Sequence, residues 1–262
     1  MNEQDHELEV TRILLALDAS ARGIAAMRAA AELAASLRAE LEALFVEDIN
    51  LLRLAELPFA REVGFSSASG RPLAFQELER MLRAQAAQMQ RLLDEAAKRL
   101  HLQFRFSVAR GRLLPEVMAK VGDVELVVLG KAGRALAPRL GTREHPGRPV
   151  LALFDGKPGC YRVLAAALRL AAKSGRSLTL LVPEPNPRRF AEIRERADDW
   201  LKRRGQKARV QQAPGSEFGE VLKALRGVRG DALVVPIPRV GISEEQLDSL
   251  LSAVSCPVLL VR

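Results

Sequence analysis

The sequence contains only two cysteines, Cys160 and Cys256, and only 4% aromatic residues in 262 positions. Two cysteines are too few for a disulfide framework, and their spacing matches no metal site. The three histidines, His6, His101 and His145, are scattered, and neither an HExxH metal motif nor a Gly-x-Ser-x-Gly nucleophile motif occurs. The sequence therefore offers no nucleophile–base pair and no set of metal ligands, and we expect no enzymatic activity.

Long apolar runs and runs of like charge are also missing. No apolar run reaches the length of a membrane span, and the N-terminal segment MNEQDHELEV is polar, unlike a signal peptide. We therefore expect a cytoplasmic protein. The net charge is +8, but acidic and basic residues are mixed along the chain with few aromatic residues among them. This pattern disfavours a base-stacking surface, so we expect no dedicated nucleic-acid partner.

What the sequence does contain is an internal repeat. Residues 14–48 align without a gap with residues 151–185, and Asp18 falls on Asp155. Each copy reads as a short apolar strand that ends at an aspartate, then a helix rich in alanine and leucine, then a second apolar strand. The repeat therefore begins with a strand–helix–strand unit in each half of the chain.

The two copies match again further on. Residues 109–130 resemble residues 213–237, and each segment reads as a helix followed by a fully apolar strand. Apolar strands that alternate with helices predict a parallel sheet covered on both faces. The sequence thus predicts an α/β protein with two doubly wound domains, residues 1–147 and 148–262.

The copies differ at two places. The first carries an extra apolar segment, residues 49–72, which is a lid, a partner-binding surface or a segment packed on its own protein. Only the second copy continues into a helix that begins after the N-cap Ser243 and a last strand, CPVLLVR. Without that strand, the fourth strand of the first copy, ELVVLG, would be an exposed apolar edge. We expect PVLLVR of the partner domain, or a second chain, to cover it.

The order of these motifs, present twice, resembles a tandem universal stress protein. RILLALDAS is similar to the first strand of that family and its aspartate, LEALFVED to the second strand, VVLGKAG…GT to the nucleotide loop, and SCPVLLVR to the closing strand. The resemblance implies Rossmann-like parallel sheets of strand order 3-2-1-4-5, the first lacking its last helix and strand, in an intramolecular pseudo-dimer. It also implies a regulatory role in the stress response, since family members either bind ATP or act through dimerisation and protein partners.

In such a sheet the ligand crevice lies outside the carboxyl ends of the strands, between the first and the fourth. Asp18 ends the first strand and could accept hydrogen bonds from adenine or ribose. Gly130 ends the fourth strand, and glycines let main-chain N–H groups approach phosphate oxygens closely. By resemblance, the ATP-binding residues of the first domain are Leu17, Asp18, Ala19, Val46, Leu129, Gly130, Gly133, Gly141 and Thr142.

The glycine loop departs from the family pattern. The family places nine residues before its Gly-Ser/Thr pair, whereas seven residues separate Gly133 from Gly141 here. Pro138 within the loop has no N–H to donate, and the sequence leaves no room before Pro149 for a helix whose N-terminus would hold phosphates. Three interpretations stay open: a degenerate ATP site in the first domain, a nucleotide-free protein that binds partners, and, ranked last because no general base stands out, slow ATP hydrolysis or phosphotransfer. The second copy has PIPRVGIS at the corresponding place, where we expect no ATP.

Overall fold

The computed structural model describes residues 10–18, 22–57, 61–63, 70–72, 75–130, 147–226, 228–237 and 242–262. In the first half, strands β1 to β6 span Arg12–Leu17, Glu40–Asp48, Arg61–Val63, Gly70–Pro72, Phe104–Gly111 and Leu126–Gly130, and helices α1 to α4 span Arg22–Leu37, Ile49–Ala55, Phe75–Leu100 and Leu113–Lys120. In the second half, strands β7 to β11 span Val150–Leu153, Leu178–Val182, Arg209–Gln212, Ala232–Pro236 and Val258–Val261, and helices α5 to α8 span Cys160–Ser174, Pro187–Lys202, Phe218–Leu225 and Glu244–Ala253.

Nine of these strands form one sheet in the order β5-β2-β1-β6-β11-β10-β7-β8-β9. The strands of the first half thus follow the order 3-2-1-4, and those of the second half follow 3-2-1-4-5. The predicted winding is confirmed. Among the described residues of the first half no strand follows β6, as predicted. The two predicted sheets are joined edge to edge, while the domain boundary near residue 147 stays a prediction.

The join is an antiparallel pair between β6 and β11, whereas every other pairing in the nine-stranded sheet is parallel. Val258 lies opposite Leu129, and Val261 lies opposite Leu126. Beyond the strand, Arg262 donates its backbone N–H to the carbonyl oxygen of Glu125 at 3.0 Å. The expectation that PVLLVR covers the fourth-strand edge is therefore confirmed.

Helices cover both faces of this sheet. Alternate residues of β1 point to opposite faces, with Leu15 packed in one core and Leu14 in the other. The first core is packed by α1, α3, α5 and α6, and the second by α4, α7 and α8. The chain steps from β1 to β2 to β5 in one direction through α1 and α3, and it returns past β1 to β6 through α4. Crossovers of one hand that run in opposite directions place their helices on opposite faces of the sheet. The winding therefore switches at β1 and β6, as predicted.

The inserted segment begins with α2, whose first turn is capped by Asp48. The Oδ1 atom of Asp48 accepts a hydrogen bond from the backbone N–H of Asn50 at 2.8 Å. Leu52 of α2 is buried against Leu78 and Leu82 of α3. Of the alternatives for this segment, packing on its own half is the one that α2 adopts.

Candidate functional site

A cavity of about 480 Å³ lies at the carboxyl ends of β1, β2 and β5. Asp18, Asp48 and Arg112 line it and directly follow or end these strands. Leu17, the last residue of β1, is paired with Gly130 of β6. The cavity therefore lies beside the predicted switch point, and its volume falls within the roughly 300–1,000 Å³ typical of ligand pockets.

The structure brings together two of the predicted binding residues, Asp18 and Val46, on the wall of this cavity. Asp18 is partly buried, and Val46 is buried at the end of β2. Three more predicted residues lie where two strands end, Leu17 in β1 and Leu129 and Gly130 in β6. All three are buried, with Leu17 and Leu129 in opposite cores. Four predicted residues lie outside the described part of the chain: Ala19, Gly133, Gly141 and Thr142.

The cavity has an apolar side that the sequence analysis did not identify. Leu113 and Leu114 of α4 line it next to Val46, and all three are largely buried. Their side chains are anchored in the core beneath α4, so this surface is firm. A planar apolar group could pack against it while Asp18 accepts hydrogen bonds.

The opposite wall comes from the second half of the chain. Glu244, Glu245, Asp248 and Ser249 of α8 line the cavity. The pairing of β11 with β6 places α8 next to α4 in the second core. The N-cap signal at Ser243 correctly predicted where this helix begins. It carried no information about where the helix packs, which depends on a strand pairing distant in sequence.

The described lining of the cavity is strongly acidic. It contains five carboxylates and a single guanidinium, that of Arg112, which pairs with Glu244. The pKa of Glu245 is lowered, first by a hydrogen bond from its own backbone N–H and then by one from the Ser243 hydroxyl, so this carboxylate stays ionised at neutral pH. The basic residues that follow Gly130 in the sequence lie outside the described residues: Lys131, Arg134, Arg139 and Arg143.

The equivalent aspartate of the second half, Asp155, is engaged by its own loop. Its Oδ1 accepts hydrogen bonds from the thiol of Cys160 at 2.8 Å and the backbone N–H of Lys157 at 3.0 Å, and the Lys157 ammonium lies 2.8 Å from Oδ2. Burial raises the pKa of Asp155, but these bonds together lower it below the usual value. Asp155 thus holds the turn after β7, which agrees with a structural role.

Both cysteines are buried and unbridged, and Cys160 should be nearly inert toward alkylation in the folded protein. Burial, reinforced by the hydrogen bond to Asp155, raises the pKa of Cys160 from 9.0 to about 12. At pH 8 its thiolate fraction should be roughly a thousandfold lower than in the unfolded chain. Iodoacetamide labelling followed by mass spectrometry measures this, with denatured protein as the control. Rapid labelling of native Cys160 would contradict the burial described here.

Within the described ranges, no group of three or more histidine, cysteine, aspartate or glutamate side chains could hold a metal ion. Those ranges also contain no helix long and apolar enough to cross a membrane.

No protein-family model matches the sequence, and no curated protein sequence matches it. Its fold is similar to that of a universal stress protein from Archaeoglobus fulgidus DSM 4304, with a TM-score of 0.55 at 12% identity over 96% of each chain. A protein from Pseudomonas aeruginosa UCBPP-PA14, assigned to the universal stress proteins, gives a TM-score of 0.49 at 14% identity over 98% of this chain and 95% of its own. A protein of unknown function from Pseudomonas aeruginosa PAO1 gives 0.46 at 13% identity, over 97% and 93%. The Archaeoglobus comparison shows that the chain has the fold of a universal stress protein along nearly its whole length.

Proposed function

We propose that this protein is a tandem universal stress protein that works in the cytoplasm, in the stress response, by binding an adenine compound. ATP is the candidate that the family supplies. The observation that carries the proposal is the joint position of Asp18 and Val46 on one cavity at the carboxyl ends of the strands. We propose regulation by binding rather than turnover, because the sequence provides no nucleophile–base pair.

Each part of the cavity has a role in this proposal. The Asp18 carboxylate accepts hydrogen bonds from the ribose hydroxyls or the adenine amino group. Val46, Leu113 and Leu114 contact the face of the base. The glycine loop after Gly130 is the proposed place for any phosphates.

The test is a calorimetric titration of the full chain with adenosine, AMP and ATP, before and after Asp18→Asn. An asparagine keeps the shape but loses the charge-assisted hydrogen bonds, so affinity for whichever compound binds should fall by about tenfold or more. Asp155→Asn is the matched control, since this aspartate occupies the same place in the second half and is held by Lys157 and Cys160, which follow it in the chain. Equal losses in both variants, or no binding at millimolar concentration, would refute the proposal.

A nucleotide-free protein that binds a partner is the second candidate. The observation that favours it is the acidity of the described lining, whose five carboxylates and one guanidinium repel phosphates. Mass spectrometry of small molecules released from the denatured, freshly purified protein separates the two candidates. Release of an adenine compound supports the first candidate. If no adenine compound is released and the calorimetric titrations show no binding, the second candidate is supported.

A further inference from the structure

Building on the proposed adenine site, we infer that the N-terminal turn of α8 sets its ligand class, so that it accepts an adenine nucleoside and rejects polyphosphates. The selecting residues are Glu244, Glu245 and Asp248. They belong to the second half of the chain, whereas Asp18 and Val46 belong to the first.

The first argument concerns hydrogen-bond donors. A helix N-terminus binds phosphate through the free N–H groups of its first turn. In α8 the Ser243 hydroxyl accepts from the backbone N–H of Gln246 at 3.2 Å, and the Gln246 side chain accepts from the backbone N–H of Ser243 at 3.1 Å. The chain's own side chains therefore already occupy the backbone N–H groups of Ser243 and Gln246, which a phosphate at this helix end would otherwise use.

The second argument concerns charge. Three carboxylates of α8 line the cavity, and Asp48 adds a fourth from the end of β2. Arg112, the cation among the described lining residues, is paired with Glu244. Each phosphate added to a ligand brings negative charge into this lining and loses affinity, whereas an uncharged nucleoside brings no such repulsion.

The third argument concerns how firmly the wall is held. Leu247, Leu250 and Leu251 anchor α8 in the core that also contains Leu113 and Leu114 of α4. The β6–β11 ladder holds the strand that follows α8. The carboxylates of α8 therefore hold fixed positions in the cavity. The selectivity between nucleosides and polyphosphates depends on the joining of the two halves.

The experiment measures dissociation constants for adenosine, AMP, ADP and ATP at constant ionic strength, with EDTA present so that no divalent cation bridges carboxylate and phosphate. The wild type should bind adenosine most tightly and lose affinity with each phosphate. In the combined variant Glu244→Gln, Glu245→Gln, Asp248→Asn, affinity for ATP should rise about tenfold or more, while affinity for adenosine changes less than about threefold. Ser243 and Gln246 are kept, so the helix cap is preserved.

The matched control is Glu192→Gln, Glu195→Gln, Asp198→Asn on α6, which changes the net charge equally on the opposite face of the sheet. Its affinity profile should match the wild type. Tighter binding of ATP than of adenosine by the wild type, or equal gains for both ligands in the α8 variant, would overturn the inference even where binding depends on Asp18. If Asp18→Asn leaves the binding of every compound unchanged, the proposed function itself fails, and this result is distinct from the first two.

Discussion

Replacing Leu260 by proline should lower the free energy of unfolding by about 3 kcal/mol or more beyond the loss caused by Leu260→Ala. The alanine variant removes a fully buried side chain and should itself cost about 2–5 kcal/mol. The proline variant also removes a backbone N–H from the strand that joins the halves. Since small proteins are stable by about 5–15 kcal/mol, the proline variant should be largely unfolded or poorly folded.

The position of Leu260 in the ladder is the reason for this expectation. Leu260 lies opposite Val127 of β6, two residues before Arg262, which donates its N–H to the Glu125 carbonyl. The alternation of an antiparallel ladder then directs the N–H of Leu260 toward β6 in the same way. A proline there breaks the β6–β11 pair and exposes the apolar edge of β6, which invites pairing between chains.

Urea unfolding followed by circular dichroism measures the stability difference, and light scattering measures association. The comparison of proline with alanine isolates the backbone contribution, because both variants lack the leucine side chain. Equal unfolding midpoints for the two variants, with no added association, would show that this ladder does not hold the halves together.

Replacing Arg110 by alanine should lower the free energy of unfolding more than Arg105→Ala does, because it leaves the carboxylate of Glu47 buried without this guanidinium. Glu47 is only 5% exposed at the end of β2. The Nε and Nη2 atoms of Arg110 donate to Glu47 Oε2 at 3.2 and 3.1 Å, and Nη2 also donates to Glu79 of α3 at 2.9 Å. This guanidinium therefore ties β2, β5 and α3 together near the cavity.

Arg105→Ala is the matched control on the same strand. Arg105 pairs with Glu40 at 2.9 Å, but its side chain is 80% exposed, so its loss should cost less than about 1 kcal/mol. The effect of Arg110→Ala should shrink in a Glu47→Gln background, which removes the buried charge, and thermal and urea unfolding of the four variants completes this double-mutant cycle. An unchanged effect in that background would assign the loss to the Glu79 contact or to packing.

The alternation of strands and helices could be predicted from the sequence because it depends on local patterns that occur twice. The family resemblance implied the strand order 3-2-1-4-5, and the structure has 3-2-1-4 in the first half and 3-2-1-4-5 in the second. Ser243 likewise predicted the start of α8, since an N-cap is a local hydrogen-bond requirement. Asp18 and Val46, which the resemblance named as binding residues, line one cavity, since strand ends in a parallel sheet meet at one edge. Their role in binding stays a prediction.

The acidic wall of that cavity could not be predicted in the same way. Glu244 and Asp248 lie more than 200 residues from Asp18 in the sequence, and nothing in their local pattern indicates the first half. Their position depends on β11 pairing with β6. The exposed apolar edge of the fourth strand predicted that pairing, but no local pattern in the sequence placed α8 at the cavity.

By itself, then, the sequence determined the helices and strands, their succession along each half and the strand edge in need of a partner, because periodicity and capping act over a few residues. The order of the strands in the sheet was implied by the family resemblance. Only the tertiary structure decided the charge of the candidate site. The antiparallel pairing of β6 with β11 places α8, which belongs to the second half, against the first half. The carboxylates of its first turns then lie at the switch point of the first half. A long-range hydrogen-bonded ladder, and not any local motif, brings these charges together.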